Sequence, residues 1–520
     1  MFDSFFDSTE NLKSEYEDLK IQSARQEERI KLLSDEVTWL HEQIAELKRA
    51  RFGSKSERWE SSEQGCLFNE AEVESKKPDN DEEDDGQSVA AETPVAGHTR
   101  KRGKRKPLPE NLPREIVKVE LPVEQQVAED GTPLKVIGWE ISEKLKYEPA
   151  KMSVLEYQRA KYGVDCGDYV KTAPPVPSIV PKGIPTPELL AAIIVSKYAD
   201  GLPLYRLEDI FKRQGIDLTR ATMARWVIAV AEASRPIWNV LSDKWRESFY
   251  GACDETHVQV LKENGRKAES KSWMIVRSTP FGPKKIILFD YSTSRGTKAI
   301  TDLLDGFKGF LQSDGLSSYD EMAHHDGVTR LGCNMHSRRR FESAEVNGAK
   351  SGKSFGTEGL EFYKELYEIE DAIRDKTPDE RFRTRNEHSR PIWDKMLAWA
   401  VRNKPKVPTK SKIGNAFSYF LNEYQYLIGY LKDGRLEMDN GFTERAIRKF
   451  AIGRNNWLFS DSEDGAEASA ILYSLVVTAK VNGVNPYAAL VKLFTALPLA
   501  KTIEDFERLT EIILSPDAAT

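Results

Sequence analysis

The chain has 520 residues, of which 39% are hydrophobic and ten are tryptophan, so it is long and apolar enough for about three packed domains. Its net charge of −7 excludes a uniformly basic nucleic-acid binder, and any contact with DNA has to come from local basic segments. The four cysteines are too scattered for a disulfide framework, and the acidic start MFDSFFDSTE and short apolar runs predict a cytoplasmic protein without a membrane span.

Residues 1–50 are predicted to form a coiled-coil helix. Apolar side chains recur there in a three-four alternation, at Ile30, Leu33, Val37, Leu40, Ile44 and Leu47. This pattern favours a parallel two-stranded coiled coil and therefore a homodimer. The alternative is a helix that packs on its own chain.

Residues 51–107 are predicted to be a flexible linker that ends in a basic motif. The part from Glu72 to Thr99 is acidic and has few large apolar side chains, so it cannot bury enough surface to offset its ordering entropy. Six cations then fall within seven residues: Arg100, Lys101, Arg102, Lys104, Arg105 and Lys106. They either enter a narrow minor groove or touch phosphates without specificity, and the sequence leaves both alternatives open.

The segment 108–172 contains two strand-like runs, Glu115–Leu121 and Lys151–Gln158, and predicts a small module. After a proline-rich joint, residues 185–245 predict a helix-turn-helix. A first apolar helix spans Leu189–Tyr198, a second spans Leu204–Gln214, and Thr219 caps a third helix beyond a glycine-containing turn. This third helix would present Arg220, Thr222 and Arg225 to DNA. The alternative is a helix pair that serves packing alone.

The stretch GACDETHVQVL at 251–261 places a carboxylate, Asp254, in the middle of a run that otherwise predicts a strand. Further strands are predicted at 273–278, 285–291, 309–313 and 328–333, with a helix at 297–304. Parallel pairing of the first and fourth strands would bring Asp254 and Asp314 side by side. Because side chains alternate along a strand, Asp254 is expected to point inward and Glu255 outward.

A third acid, Glu444, lies in a segment that predicts a helix. An ordinary salt bridge with Arg448, four residues later, is the simplest account of both residues. Carboxylates at the ends of two strands and on a helix can instead converge and hold two Mg²⁺ or Mn²⁺ ions. Such ions activate a water or a 3′-hydroxyl and stabilise the leaving oxygen of a phosphodiester.

Four phrases of the sequence carry a resemblance: CDETHVQVL, LQSDGLSSYD, ERAIRKFAIGRNNWLFS and GAEASAILYSLVVTAKVNGVNPYAAL. Together they resemble the bacterial transposases of the insertion sequence 66 family, which are DDE enzymes with a ribonuclease-H-like core. The resemblance implies that Asp254, Asp314 and Glu444 are the catalytic and metal-binding triad. It also implies a multidomain α+β protein whose catalytic domain spans 246–460, with a helical insertion at about 342–435 and a C-terminal helical region at 461–520. By the usual strand order of the ribonuclease-H-like fold, the first three strands of this domain form an antiparallel meander.

By the same resemblance, the 108–172 module corresponds to a small zinc-binding module with two cysteine pairs. Here only Cys166 remains, so we expect a degenerate, zinc-ribbon-like module without zinc, held by aromatic residues such as Trp139 and Tyr157. The Cys333-x-x-His336 pair is a recurrent family feature, and no second ligand pair accompanies it. The resemblance adds five arginines as expected DNA contacts: Arg338, Arg339, Arg340, Arg448 and Arg454.

The function predicted from these observations is metal-dependent cleavage and strand transfer of DNA. The expected partners are the terminal inverted repeats of an element, its target DNA and a second copy of the chain. Small companion proteins of the same element and association with the nucleoid are further expectations from the resemblance. Two alternatives stay open: a coiled-coil DNA-binding regulator with an inert catalytic domain, and a nuclease that hydrolyses without joining.

Overall fold

The structure, a computed structural model, describes residues 152–163, 170–345 and 354–519, together with scattered positions between 20 and 40. The chain divides into two compact units, one formed by 1–53 and 174–520 and the other by 54–173. The predicted acidic linker, the basic motif and Cys166 lie outside the described residues. Among the described residues, no helix is long and apolar enough to cross a membrane.

The described positions between 20 and 40 are helical. Ile30, Leu33, Val37 and Leu40 expose from 45% to 66% of their surface, although all four are large and apolar. The apolar alternation predicted for the coiled coil therefore forms an exposed stripe on a helix at these positions. Its pairing with a second chain stays a prediction.

The 54–173 unit contains a two-stranded antiparallel sheet, in which β1 (Lys161–Gly163) pairs with β2 (Val170–Thr172). The prediction of a strand at Lys151–Gln158 is wrong for the described part, because residues 152–160 adopt no regular structure. Tyr157 is 62% exposed, so the expectation that it helps to hold the module is also wrong. Exposed extended backbone with β-branched and aromatic residues mimics a strand in sequence but lacks a pairing partner here.

Three helices follow in the other unit, and they match the predicted helix-turn-helix region. They are α1 (Pro187–Tyr198), α2 (Leu204–Arg213) and α3 (Arg220–Arg246). Thr219 caps α3 by accepting the backbone N–H of Thr222, as predicted. The third helix is much longer than the sequence pattern indicated, because Pro236 lies inside it without ending it.

A mixed sheet forms the centre of this unit. Its strands are β3 (Tyr250–Lys262), β4 (Lys271–Ser278), β5 (Ile287–Ser292), β6 (Gly309–Ser313), β7 (Val328–Gly332) and β8 (Ser460–Ser462). The order is β5-β4-β3-β6-β7, and β8 pairs with the far end of β3. Strands β3, β4 and β5 are antiparallel, whereas β6 and β7 run parallel to β3. The predicted meander and the predicted parallel pairing are both confirmed.

Helix α4 (Thr297–Leu304) connects β5 to β6 at the residues predicted for it. Gly309 opens β6 at a φ of 135°, and a Cβ there would overlap the carbonyl of Phe249. Glycine therefore allows β6 to approach the start of β3 closely enough to pair.

Helical segments separate β7 from the last part of the sheet. They are α5 (Asn334–Ala344), α6 (Phe355–Ala372), α7 (Pro378–Thr384), α8 (Arg390–Asn403) and α9 (Lys412–Leu427). They form a second hydrophobic core around aromatic side chains such as Trp393, Phe417 and Phe420. The predicted helical insertion therefore has a core of its own.

The remaining helices pack on the sheet and on α1–α3. They are α10 (Gly441–Trp457), α11 (Glu463–Val481), α12 (Pro486–Ala496), α13 (Ile503–Leu514) and α14 (Pro516–Ala519). Helix α11 lies along the edge strand β5, where the Ser474 and Thr478 hydroxyls accept the backbone N–H groups of Phe289 and Ile287. These hydroxyls satisfy backbone groups that a bare sheet edge would leave open.

Candidate active site

Asp254 and Asp314 lie side by side because of the register of two parallel strands. Ala252 of β3 is opposite Gln312 of β6. Because the two strands are parallel, Asp254, two residues after Ala252, is level with Asp314, two residues after Gln312 and directly after the end of β6. The sheet thus brings together two carboxylates that are far apart in sequence.

Glu444 reaches the same region from the first turn of α10. The residue before this helix, Asn440, fixes the helix start on the sheet: its side chain donates to the Cys253 carbonyl at 2.9 Å, and its backbone N–H donates to Cys333 Sγ at 3.3 Å. One turn inside the helix, the Thr443 hydroxyl contacts the Ser278 hydroxyl of β4 at 2.8 Å. These contacts place Glu444 next to the residue that follows Cys253 on β3.

The electrostatics of Asp254 reflect this convergence. The pKa of Asp254 lies well above its usual range, mainly because the carboxyl is buried. The negative charges of Glu444, Glu255 and Asp314 raise this pKa further. Like charges at close range raise a carboxyl pKa because the second ionisation is opposed, unless a cation lies between them. The donor set consists of hard carboxylate oxygens, which are the ligands that Mg²⁺ and Mn²⁺ prefer. The residues present therefore fit a divalent metal site.

The third acid has two basic neighbours on α5. Arg339 donates to the Glu444 carboxylate at 2.5 Å, and His336 Nδ1 lies 3.7 Å from Glu444 Oε1. His336 Nδ1 is buried and has no hydrogen-bond partner among the described residues. Burial lowers the pKa of His336, and the nearby Glu444 carboxylate opposes that effect. Glu444 therefore pairs with Arg339 of α5, and the anticipated salt bridge between Glu444 and Arg448 stays a prediction.

Cys333, His336 and Glu444 offer three ligand atoms that all lie within 4.8 Å of one another. Sequence spacing revealed the first two but not the third, because Glu444 is distant along the chain. The Cys333 thiol is buried and accepts the Asn440 backbone N–H, and burial raises the pKa of this thiol. A protonated, hydrogen-bonded thiol anchors the start of α10.

Glu255 differs from expectation. It does not point into solvent: its side chain is 2% exposed, and it accepts hydrogen bonds from Arg295 at 3.0 Å and from the Tyr319 hydroxyl at 3.1 Å. Burial and the Asp314 charge raise the pKa of Glu255, while Arg295 and Tyr319 oppose that shift. The outward face of β3 is covered here by the segment after Asp314, which strand alternation alone could not reveal.

The arginines predicted to contact DNA have different environments. On α3, Arg220 and Arg225 are exposed, and Thr222 accepts a hydrogen bond from Arg225 at 3.2 Å. On α10, Arg454 donates to the Thr256 hydroxyl at 3.0 Å and to the His257 carbonyl, so its guanidinium holds β3. Arg448 lies on the same helix, one turn after Glu444, and its contact with DNA stays a prediction.

The two other arginines of the α5 cluster also have intramolecular contacts. Arg338 pairs with Glu342 at 3.3 Å, and the Arg340 guanidinium lies 4.1 Å from the centre of the Tyr419 ring. Tyr419 belongs to the helical insertion, and no sequence signal placed it beside the candidate site. Tyr419 lies against Gly315, the residue after Asp314, and this contact is visible only in the folded chain.

The fold and site define a mixed α+β protein with converging carboxylates, a chemistry suited to metal-dependent phosphoryl transfer. Residues 182–468, more than half of the chain, match the family described as "Transposase IS66 family". Residues 474–510 match its "IS66 C-terminal element", and residues 39–117 match "Transposase C of IS166 homeodomain". The chain therefore belongs to the IS66 family of transposases, which implies DNA binding and dependence on divalent metal in general.

Similar proteins occur in Sinorhizobium fredii. The uncharacterized protein y4qI is 32% identical over 429 residues, which cover 80% of this chain and 79% of that protein. The uncharacterized protein y4hP is 31% identical over 423 residues, covering 77% of this chain and 76% of that protein. The likeness therefore extends over three quarters or more of each chain rather than over one motif.

Proposed function

We propose that this protein binds the ends of a mobile element and catalyses metal-dependent cleavage and strand transfer of DNA, with a ribonuclease-H-like catalytic core. The observation that carries the proposal is the alignment of Asp254 with Asp314 on parallel strands, faced by Glu444 on α10. Membership in a transposase family supports the same activity.

In this proposal, Asp254, Asp314 and Glu444 hold two divalent ions, Mg²⁺ or Mn²⁺. Such ions, when bound, stabilise the charge that develops on the attacking and leaving oxygens of a phosphodiester. The chain's own residues contribute the carboxylates, their alignment by the sheet and the cations of α5 that face incoming phosphates. Zinc is not part of this proposal, because carboxylate oxygens suit Mg²⁺ or Mn²⁺ and Cys166 is the only survivor of the cysteine pairs that would hold a structural zinc.

DNA recognition is divided in this proposal. The exposed arginines of α3 read sequence, and the basic motif at 100–106 supplies affinity for phosphates without specificity. The apolar stripe near residues 30–40 pairs two chains, so that one dimer holds two DNA ends.

The test uses DNA ends selected by the protein from a random pool, followed by cleavage and joining assays in Mg²⁺ and Mn²⁺. Asp254→Asn, Asp314→Asn and Glu444→Gln preserve shape but remove charge. Each should keep end binding and lose cleavage and joining by roughly a thousandfold or more. The matched variant is Asp439→Asn, because Asp439 precedes α10 and is engaged by Tyr367 at 2.9 Å and by the Gly441 N–H at 2.8 Å.

Two outcomes would replace the proposal. Tight end binding with neither cleavage nor joining in any divalent ion favours the inert regulator. Cleavage without joining of a pre-cleaved end favours the hydrolytic nuclease. If Glu444→Gln still cuts while Asp439→Asn does not, the third ligand has been assigned to the wrong residue.

A further inference from the structure

The loop that begins with Asp314 is held at both ends by one arginine of β7. Arg330 Nη2 donates to the backbone carbonyl of Asp314 at 2.9 Å, and Arg330 Nη1 pairs with the Asp320 carboxylate at 3.0 Å. The guanidinium therefore fixes the span from the second acid of the candidate site to the end of the short 3₁₀ turn Ser317–Tyr319.

Arg330 is itself positioned from the helical insertion. Its side chain has no exposed surface, and its Nε and Nη1 have no hydrogen-bond partner among the described residues. A buried guanidinium in this situation depends on nearby carboxylates to compensate its charge. Glu423 of α9 provides that charge at 2.8 Å and is 11% exposed, whereas Asp320 is 52% exposed. The Tyr426 ring of the same helix lies 4.2 Å from the guanidinium.

The same helix also contacts the residue after Asp314. Gly315 leaves no room for a Cβ, because that atom would overlap the ring of Tyr419. The Tyr419 hydroxyl is buried without a hydrogen-bond partner among the described residues. Helix α9 therefore meets the Asp314 loop at two independent places, through Tyr419 directly and through Glu423 by way of Arg330.

We infer that Arg330 and Glu423 are positioning residues through which the helical insertion sets the placement of Asp314 for metal binding. This inference rests on the proposed function, in which Asp314 is a metal ligand. Arg330 contacts the backbone of Asp314 and not the metal. Loss of Glu423 leaves the buried Arg330 cation beside the half-exposed Asp320 carboxylate, which compensates its charge less well, and this loosens the carbonyl of Asp314 and hence its carboxylate.

The test measures Mn²⁺ binding to the full chain without DNA, from the electron paramagnetic resonance signal of free Mn²⁺. Glu423→Ala should raise the Mn²⁺ concentration at half-saturation by about 10- to 100-fold, the usual effect of removing a partner that orients a metal ligand. Glu423→Gln keeps a hydrogen-bond acceptor for Arg330 and should recover most of the affinity. In cleavage assays, excess Mn²⁺ should rescue Glu423→Ala, which loss of folding would not allow.

The insertion provides a matched control. Arg385 is also unexposed, and Glu370, 12% exposed, accepts its Nε and Nη2 hydrogen bonds at 2.8 Å and 2.6 Å. This pair does not contact the Asp314 loop. Glu370→Ala should therefore lower thermal stability to a degree similar to Glu423→Ala and leave Mn²⁺ half-saturation unchanged.

The inference is overturned if Glu423→Ala binds Mn²⁺ like the wild type, or if Glu370→Ala weakens Mn²⁺ binding as strongly. If Glu423→Ala does not fold, Arg330→Lys takes its place, and wild-type Mn²⁺ affinity of that variant overturns the inference as well. If Asp314→Asn binds Mn²⁺ as tightly as the wild type, Asp314 is not a metal ligand. That result contradicts the proposed function, and it is distinguishable from failure of the inference about Arg330 and Glu423.

Discussion

Arg339 and Glu444 form an ion pair at 2.5 Å at the candidate active site, with side-chain exposures of 30% and 12%. The third acid of the proposed metal centre thus already has a cation beside it. A divalent ion and the Arg339 guanidinium compete for the same carboxylate oxygens. DNA phosphates, in turn, offer Arg339 an alternative anion.

Replacement of Arg339 by glutamine should strengthen binding of Mn²⁺ to the DNA-free protein by roughly fivefold, or about 1 kcal/mol, since it removes a partly exposed competitor. The same substitution should weaken binding to DNA ends, because one phosphate contact is lost. Metal titration without DNA and end binding in EDTA measure the two effects separately.

Arg338→Gln is the control, because Arg338 lies on the same helix and pairs with Glu342 instead. It should leave Mn²⁺ binding unchanged. Weaker Mn²⁺ binding by Arg339→Gln would contradict the competition and would mean that Arg339 supports the carboxylate in its metal-binding orientation.

A second prediction concerns Lys197, which holds the end of α10 to α1. Its Nζ lies 5.3 Å from the centre of the Tyr198 ring and 5.6 Å from a Trp457 ring, and burial lowers its pKa to about 8. In the unfolded chain the same lysine titrates near its ordinary pKa of about 10.4. Between these values the unfolded state binds more protons, so the contribution of Lys197 to stability rises with pH.

Lys197→Met should therefore be more stable than the wild type at pH 7.5, and the difference should narrow as the pH approaches 9.5. Urea midpoints at the two pH values measure it, with Lys212→Met as a control for an exposed lysine. A difference that is the same at both pH values would show that Lys197 keeps an ordinary pKa in the folded protein.

The positions of the strands around Asp254 and Asp314 were predictable from sequence, because strands with alternating apolar residues, glycines between them and a short amphipathic helix are local signals. The order of these strands in the sheet was implied by the family resemblance. The ends of α4 and β6 were predicted at the residues where they occur. The helix that carries Glu444 was predicted for the same reason.

The surroundings of these acids were not predictable, since they depend on contacts between distant parts of the chain. Nothing local to Glu255 indicates that Arg295 and Tyr319 cover it. Similarly, nothing in the local sequence around Arg330 or Glu423 indicates that these two side chains lie 2.8 Å apart. The strand predicted at Lys151–Gln158 was wrong because a strand-like composition does not by itself provide a partner strand.

A third prediction is that the apolar stripe of the N-terminal helix joins two chains. Val37→Asp combined with Leu40→Asp puts charge on the stripe and should convert a dimer of the full chain to a monomer, as sedimentation equilibrium would show. Glu28→Lys changes charge at an exposed helical position off the predicted seam and should leave the dimer intact. A wild-type protein that sediments as a monomer at micromolar concentration would contradict the coiled-coil interpretation.

The fourth prediction assigns sequence reading to the start of α3. Arg225 is exposed beside Thr222, while Met223, Trp226 and Val227 bury the opposite face of this helix in the core. The polar face is thus left for a partner, and a recognition helix contacts base edges with the residues of its first turns. Arg225→Ala should reduce the preference for selected ends over random DNA by about 1–3 kcal/mol.

The matched control for this prediction is Arg235→Ala on the same helix. The Arg235 side chain is 40% exposed but pairs with Glu232 at 2.9 Å and with Glu467 at 3.0 Å, so its charge is already balanced within the protein. Its loss should leave both affinity and preference unchanged. Competition binding at two salt concentrations separates the effects: a lost base contact changes the preference at both, whereas a lost phosphate contact weakens all DNA equally and reduces the salt dependence. If Arg225→Ala keeps its full preference, α3 does not read the DNA sequence and its first turns serve packing alone.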